Sequence, residues 1–143
     1  MDHRQFYSEI GKLIYAVTDI DGVISQTEKK AISEVVKKEL APMGVPKGSG
    51  NMDLSHYAEI EFDFLENEIA DAEAAFESFI DFIEDHKTAI DERMLNASEK
   101  LAKKLASAYY GTNKKEKALI ERLSKKIRSI QKERNLKVTQ TSK

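Results

Sequence analysis

Apolar residues recur along this chain every three to four positions, the period of helices that bury one face. Phe6, Ile10, Leu13, Ile14 and Val17 form a first stripe, and Ala31, Ile32, Val35, Val36 and Leu40 form a second. Tyr57, Ile60, Phe64 and Leu65 predict a short third helix with those side chains inward. Ala72 to His86 predicts a longer one that buries Phe76, Phe79, Ile80 and Ile83. Two more stripes follow: Ile90, Met94, Ala97, Leu101, Leu105 and Ala108, then Leu119, Ile120, Leu123, Ile127 and Ile130. Aromatic positions at this spacing read as core, not as a cofactor box. The expected fold class is all-α, a single-domain helical bundle over residues 1–136. Residues 137–143 carry no apolar period and read as a frayed basic tail.

The breaks between stripes are as informative as the stripes. Asp21-Gly22 ends the first helix, because glycine accepts the left-handed conformation that commonly closes a helix. Ser25-Gln26-Thr27-Glu28 is a capping box, in which the Ser25 hydroxyl accepts from the Glu28 N–H while the Glu28 carboxylate accepts from the Ser25 N–H. Both prolines, Pro42 and Pro46, fall in a Gly-rich stretch, so residues 41–52 are expected to form a loop between two helical halves. The first box has an echo 88 residues on, where Asn113-Lys-Lys-Glu116 follows Gly111. Two corners built alike predict two pseudo-repeated helix-turn-helix units. Where the first corner has Asp21 and Gly22, the second has Tyr109 and Tyr110.

The first corner admits two readings. It is a capped turn, or it is a cation site built like a calcium loop, with Gly22 at the sharp turn and Glu28 at the closing bidentate position. In that register Asp19 and Asp21 fall on ligand positions, Ile24 on the apolar position and Ser25 on a position often filled through water. The first ligand position falls on Val17, an apolar residue inside the first helix. Asp19, Asp21 and Glu28 are the candidate ligands, for calcium before zinc because all are hard oxygen donors.

The segment YAVTDIDGVISQTEKKAISEV resembles the TerB-like tellurite-resistance family, itself similar to the N-terminal domain of a membrane-anchored co-chaperone. The family pattern falls here on Tyr15-Ala16, Asp21-Gly22, Val23-Ile24, Ser25 and Glu28, and the resemblance spans about residues 6 to 40. It implies an all-helical fold of two related units, acidic and metal-binding surfaces, and stress-response complexes at membranes, with no enzymatic reaction. Asp21 and Glu28 carry over by motif. Asp19 is an added carboxylate without a strict family counterpart.

Charge is strongly segregated. Residues 1–52 hold seven basic and seven acidic side chains, residues 53–99 two and fifteen, and residues 100–143 fourteen and three, within a formal net charge of -2. If the acidic and basic helices pack together their fields cancel; otherwise one face attracts cations or basic partners and the other attracts anionic surfaces. Glu59, Glu61, Asp63, Glu66, Glu68, Asp71 and Glu73 crowd fifteen residues. Such a cluster reads as a solvated face, a divalent-cation site or a docking surface for a basic protein. The basic run lacks interleaved aromatics and the chain total is acidic, so nucleic acid is not an expected partner.

Little supports catalysis. There is no cysteine, which excludes disulfides and thiolate chemistry. His3, His56 and His86 lack zinc-hydrolase spacing, and Pro46-Lys-Gly-Ser-Gly50 lacks the spacing of a phosphate loop. No signal-peptide core or membrane span is apparent, giving a cytoplasmic expectation with membrane association only through partners. The expected function is a non-enzymatic helical binding or adaptor module with a protein partner and, at most, a divalent cation as cofactor. The alternative is a protein interaction module with an acidic docking face and no metal.

Overall fold

The computed structural model describes residues 3–19, 26–40, 55–109 and 114–141; the side chains of 19, 26–29, 40, 55, 108–109, 116 and 135–141 are not described. Within these residues the chain is all-helical: α1 (His3–Asp19), α2 (Gln26–Leu40), α3 (Ser55–Asn67), α4 (Ala72–Asp85), α5 (Glu92–Tyr109) and α6 (Lys114–Thr141). α6 continues to Thr141, past the end of its apolar stripe. α2 and α6 begin at the residues that follow Ser25 and Asn113, but those two caps lie outside the described residues, as does the expected loop at 41–52.

α1 is the centre of the bundle, packed against α3, α4 and α5; α2 lies on α5 and α3, and α6 on α5 and α4. The predicted stripe of α1 is buried, with Phe6, Ile10 and Leu13 fully buried and Ile14 and Val17 nearly so. Phe76, Phe79 and Ile83 of α4, Leu95, Leu101 and Leu105 of α5, and Leu119, Leu123, Ile127 and Ile130 of α6 complete the core. Burying each such side chain contributes roughly 1.5–3 kcal/mol against the entropy of ordering the chain.

α3 departs from its expected orientation at Ile60 and Phe64, while Tyr57 and Leu65 are partly buried against the core as expected. Ile60 is 50% exposed and Phe64 56% exposed, while Ala58 and Phe62 face the core. The cause lies in α1. A Cβ added at Gly11 would stand 2.5 Å from the Ala58 carbonyl oxygen and 2.8 Å from the Glu61 Cβ, so the two backbones meet at a glycine. That close crossing requires a small residue on α3 as well. Ala58 supplies it, and the rotation that brings Ala58 inward turns Ile60 and Phe64 out. Phe62 then packs edge-on against Tyr15, with ring centroids 6.1 Å apart.

Short polar devices fix the helix ends. The Asp71 carboxylate accepts from the Glu73 N–H at 3.0 Å and caps α4. The Asp91 carboxylate accepts from the Met94 N–H at 2.9 Å and caps α5. Each satisfies a donor that the first helical turn leaves open. The turn between α4 and α5 is held from α6, since Arg134 donates to the carbonyls of Lys87 and Ile90 and pairs with Glu92 at 3.1 Å.

Candidate docking surface on the third helix

The predicted cation ligands fall where side chains are not described. Asp19 is the last residue of α1 and Glu28 lies in the first turn of α2, with neither side chain described, and Asp21 lies outside the described residues altogether. Val17 is buried inside α1, 1% exposed. Among the described residues no group of three or more His, Cys, Asp or Glu side chains is arranged to hold a metal ion.

The acidic block divides into two halves with different fates. On α4, Glu73 and Glu77 are held by Arg122 of α6, at 3.2 Å for Glu73, and Glu84 lies 3.5 Å from Lys126. The Arg122 guanidinium also stands over the Phe76 ring, 4.8 Å from its centroid. Lys87 bridges Glu84 and Glu133 at 3.1 and 2.9 Å. Its hydrogen bond holds the Glu84 carboxyl below the ordinary range, against opposing burial, with help from Lys126. Much of the α4 charge is thus neutralised by α6 within the bundle.

Three acids of α3 and of the turn after it, Asp63, Glu68 and Asp71, are not met in this way. Glu59 is tied to the neighbouring helix, accepting from Ser33 and lying 3.9 Å from Lys37. Asp63, Glu68 and Asp71 are exposed and form no ion pair among the described residues. At 100° per residue, Ile60, Asp63, Phe64 and Asn67 lie on the outward side of α3. Two large apolar side chains therefore stand in water beside unneutralised carboxylates. Scattered surface apolar residues are ordinary, but two adjacent ones on one helical ridge form a patch.

The end of α3 adds a third apolar residue. Ala70 N–H donates to the Leu65 carbonyl at 3.0 Å and Ile69 N–H to the Glu66 carbonyl at 3.2 Å, the bond pair of a Schellman closure. The left-handed position of that closure, normally glycine, is Ile69, with φ of 52° and 88% exposure. A β-branched residue is disfavoured there by about 1–2 kcal/mol. Among the described residues, Ile60, Phe64 and Ile69 are the large hydrophobics left exposed.

Two concavities lie on the described surface, one of them bordering α3. A cavity of about 260 Å³ lies between α1, α2 and α3, floored by Ile14, Ile32, Val36 and Phe62, with Asp63 on its wall. A more open one of about 620 Å³ lies between α2 and α5, lined by Val35, Lys100, Lys103 and Lys104. The lysines there are engaged: Lys104 and Lys100 lie 2.5 and 3.7 Å from the buried Glu39, and Lys103 lies 2.8 Å from Glu99. The Lys104 hydrogen bond holds the Glu39 carboxyl below its ordinary value, opposed by burial and assisted by Lys100.

Sequence reasoning named the acidic cluster and missed the apolar ridge within it. The signal was present in Gly11 and Ala58, the small residues that set the crossing of α1 and α3. No family model, curated protein or solved structure matches the chain. No helix among the described residues is long and apolar enough to cross a membrane.

Proposed function

We propose that this chain is a non-enzymatic helical binding or adaptor module, and that it binds a protein partner through the outward face of α3. The observation that carries this reading is the pairing of exposed Ile60 and Phe64 with Asp63, Glu68 and Asp71, none of which has an ion-pair partner among the described residues. Apolar contact supplies affinity at the centre of an interface, while the surrounding charge steers the encounter and selects the partner. The two pseudo-repeated corners, the TerB-like resemblance of residues 6 to 40 and its stress-response context belong to the same proposal. They are supported by the helix starts at Gln26 and Lys114 and by the motif residues Tyr15, Asp21 and Glu28. A divalent cation at Asp19, Asp21 and Glu28 would add a second ligand to the module.

The test separates stability from binding. Replacing Ile60 and Phe64 by serine is expected to leave chemical unfolding within about 1 kcal/mol of the parent, since surface changes rarely do more. Loss of partner co-purification at unchanged stability supports the reading. Retention of the same partner by the double variant overturns it.

A further inference from the structure

We infer that the partner element recognised by α3 is a basic amphipathic helix, one whose apolar stripe covers Ile60 and Phe64 and whose lysines or arginines reach Asp63, Glu68 and Asp71. The inference rests on the docking reading above and adds the chemistry of the occupant. Ile60 and Phe64 stand four residues apart, so they form a single ridge of the kind that packs into the groove between the side-chain rows of another helix. Asp63 lies on one flank of that ridge and Glu68 on the other, and both are exposed. Cations on both edges of an apolar stripe complement such a pattern.

The molecule's own surfaces fit poorly. A second copy docking α3 on α3 about a two-fold axis would set Asp63 and Glu68 against their own counterparts, like charges brought together in a partly dry interface. A second copy docking through α6 would match charge, because Lys125, Arg128 and Lys132 are exposed. Among its described side chains α6 would offer no exposed large hydrophobic to Ile60 and Phe64, since these are confined to α3 and its closing turn. No described surface of the molecule supplies both the charge and the apolar stripe, which points to a different chain as the occupant.

The experiment titrates the full chain, isotope-labelled, with a synthetic leucine–lysine amphipathic peptide of about eighteen residues, roughly 27 Å long as a helix. A scrambled peptide of the same composition and a leucine–glutamate counterpart serve as comparisons. Binding of the leucine–lysine peptide alone is expected, with amide shifts confined to α3 and residues 68–71. Phe64→Ser is expected to weaken it about tenfold or more. Asp63→Lys is expected to weaken it and to gain affinity for the leucine–glutamate peptide. Equal binding of the scrambled peptide on α3 would overturn the helical partner while leaving docking through α3 intact. Shifts on other helices, insensitive to Phe64→Ser, would overturn both. No binding of any peptide would overturn the basic-helix inference alone. A concentration-dependent dimer of the free chain, abolished by Phe64→Ser, would overturn it in favour of a second copy.

Discussion

Tyr15, buried in α1, donates its hydroxyl to the carbonyl oxygen of Ala70 at 2.6 Å. The bond links the centre of the bundle to the turn in which Ile69 is held in the left-handed region, one residue from the tethered carbonyl. Two substitutions here are expected to act with opposite sign. Tyr15→Phe leaves that carbonyl without its donor and should cost about 1 kcal/mol. Ile69→Gly relieves the left-handed strain, part of which is offset by glycine's greater unfolded-state entropy, for a net gain of roughly 0.5–1 kcal/mol. Urea unfolding of the two variants checks both signs, and a stabilised Ile69→Gly that binds partner more weakly would show that the strained isoleucine serves the surface.

Gly11→Ala is expected to destabilise although alanine favours helices over glycine by about 1 kcal/mol. The added methyl would meet the Ala58 carbonyl oxygen at 2.5 Å, and a backbone atom in a packed crossing cannot swing aside. Overpacking of this kind costs about 1–3 kcal/mol. Thermal unfolding should show a lower midpoint than the parent; a higher one would mean that α1 and α3 are not in this contact.

Stability should fall on the acid side partly through Glu39. Its carboxyl is held below the ordinary value of 4.5, first by the Lys104 hydrogen bond and then by Lys100. A carboxyl with a depressed folded-state pKa binds its proton more readily in the unfolded chain, so its contribution is complete above about pH 4.5 and is lost as pH falls through the lower folded value. Glu39→Gln should therefore flatten the decline below pH 4.5 and lower stability at pH 7. An acid limb identical to the parent's would exclude this pair as its source.

For the first corner, thermal unfolding of chelator-stripped protein with calcium, magnesium or zinc is the direct measurement. Native-state binding raises stability by about 2.7 kcal/mol at one hundred times Kd. The cation proposal expects a saturable shift in the parent that disappears in Asp21→Asn and Glu28→Gln. No shift, with Glu28→Gln merely less stable, is the outcome expected of a capping box alone.

The stripes of α1, α4, α5 and α6 were legible because each is a long periodic pattern with one apolar side, and most of their residues are buried. Ile80, Ala97 and Ile120 are only half-buried, and Leu95, Ala102 and Ala106 are buried beside the α5 stripe. α3 was misread because hydrophobicity alone ranks Ile60 and Phe64 as core. What decides its rotation is the fit of Gly11 to Ala58, a property of two helices that neither pattern contains. The charge blocks could be counted along the chain, but which acids would be neutralised depended on α6 lying on α4. The caps Asp71 and Asp91 lack the glutamate three residues on that makes a capping box, and so gave a weaker sequence signal.

Docking through α3 is tested most directly by placing a photo-activatable crosslinking residue at exposed Asn67, on the outward side of that helix, and at exposed Lys125 on α6, in cells that express the full chain. A discrete adduct formed from position 67, weaker or missing from position 125 and lost when Ile60 and Phe64 are serine, is the expected result. Adducts that form equally from both positions, or that persist in the serine variant, would contradict it.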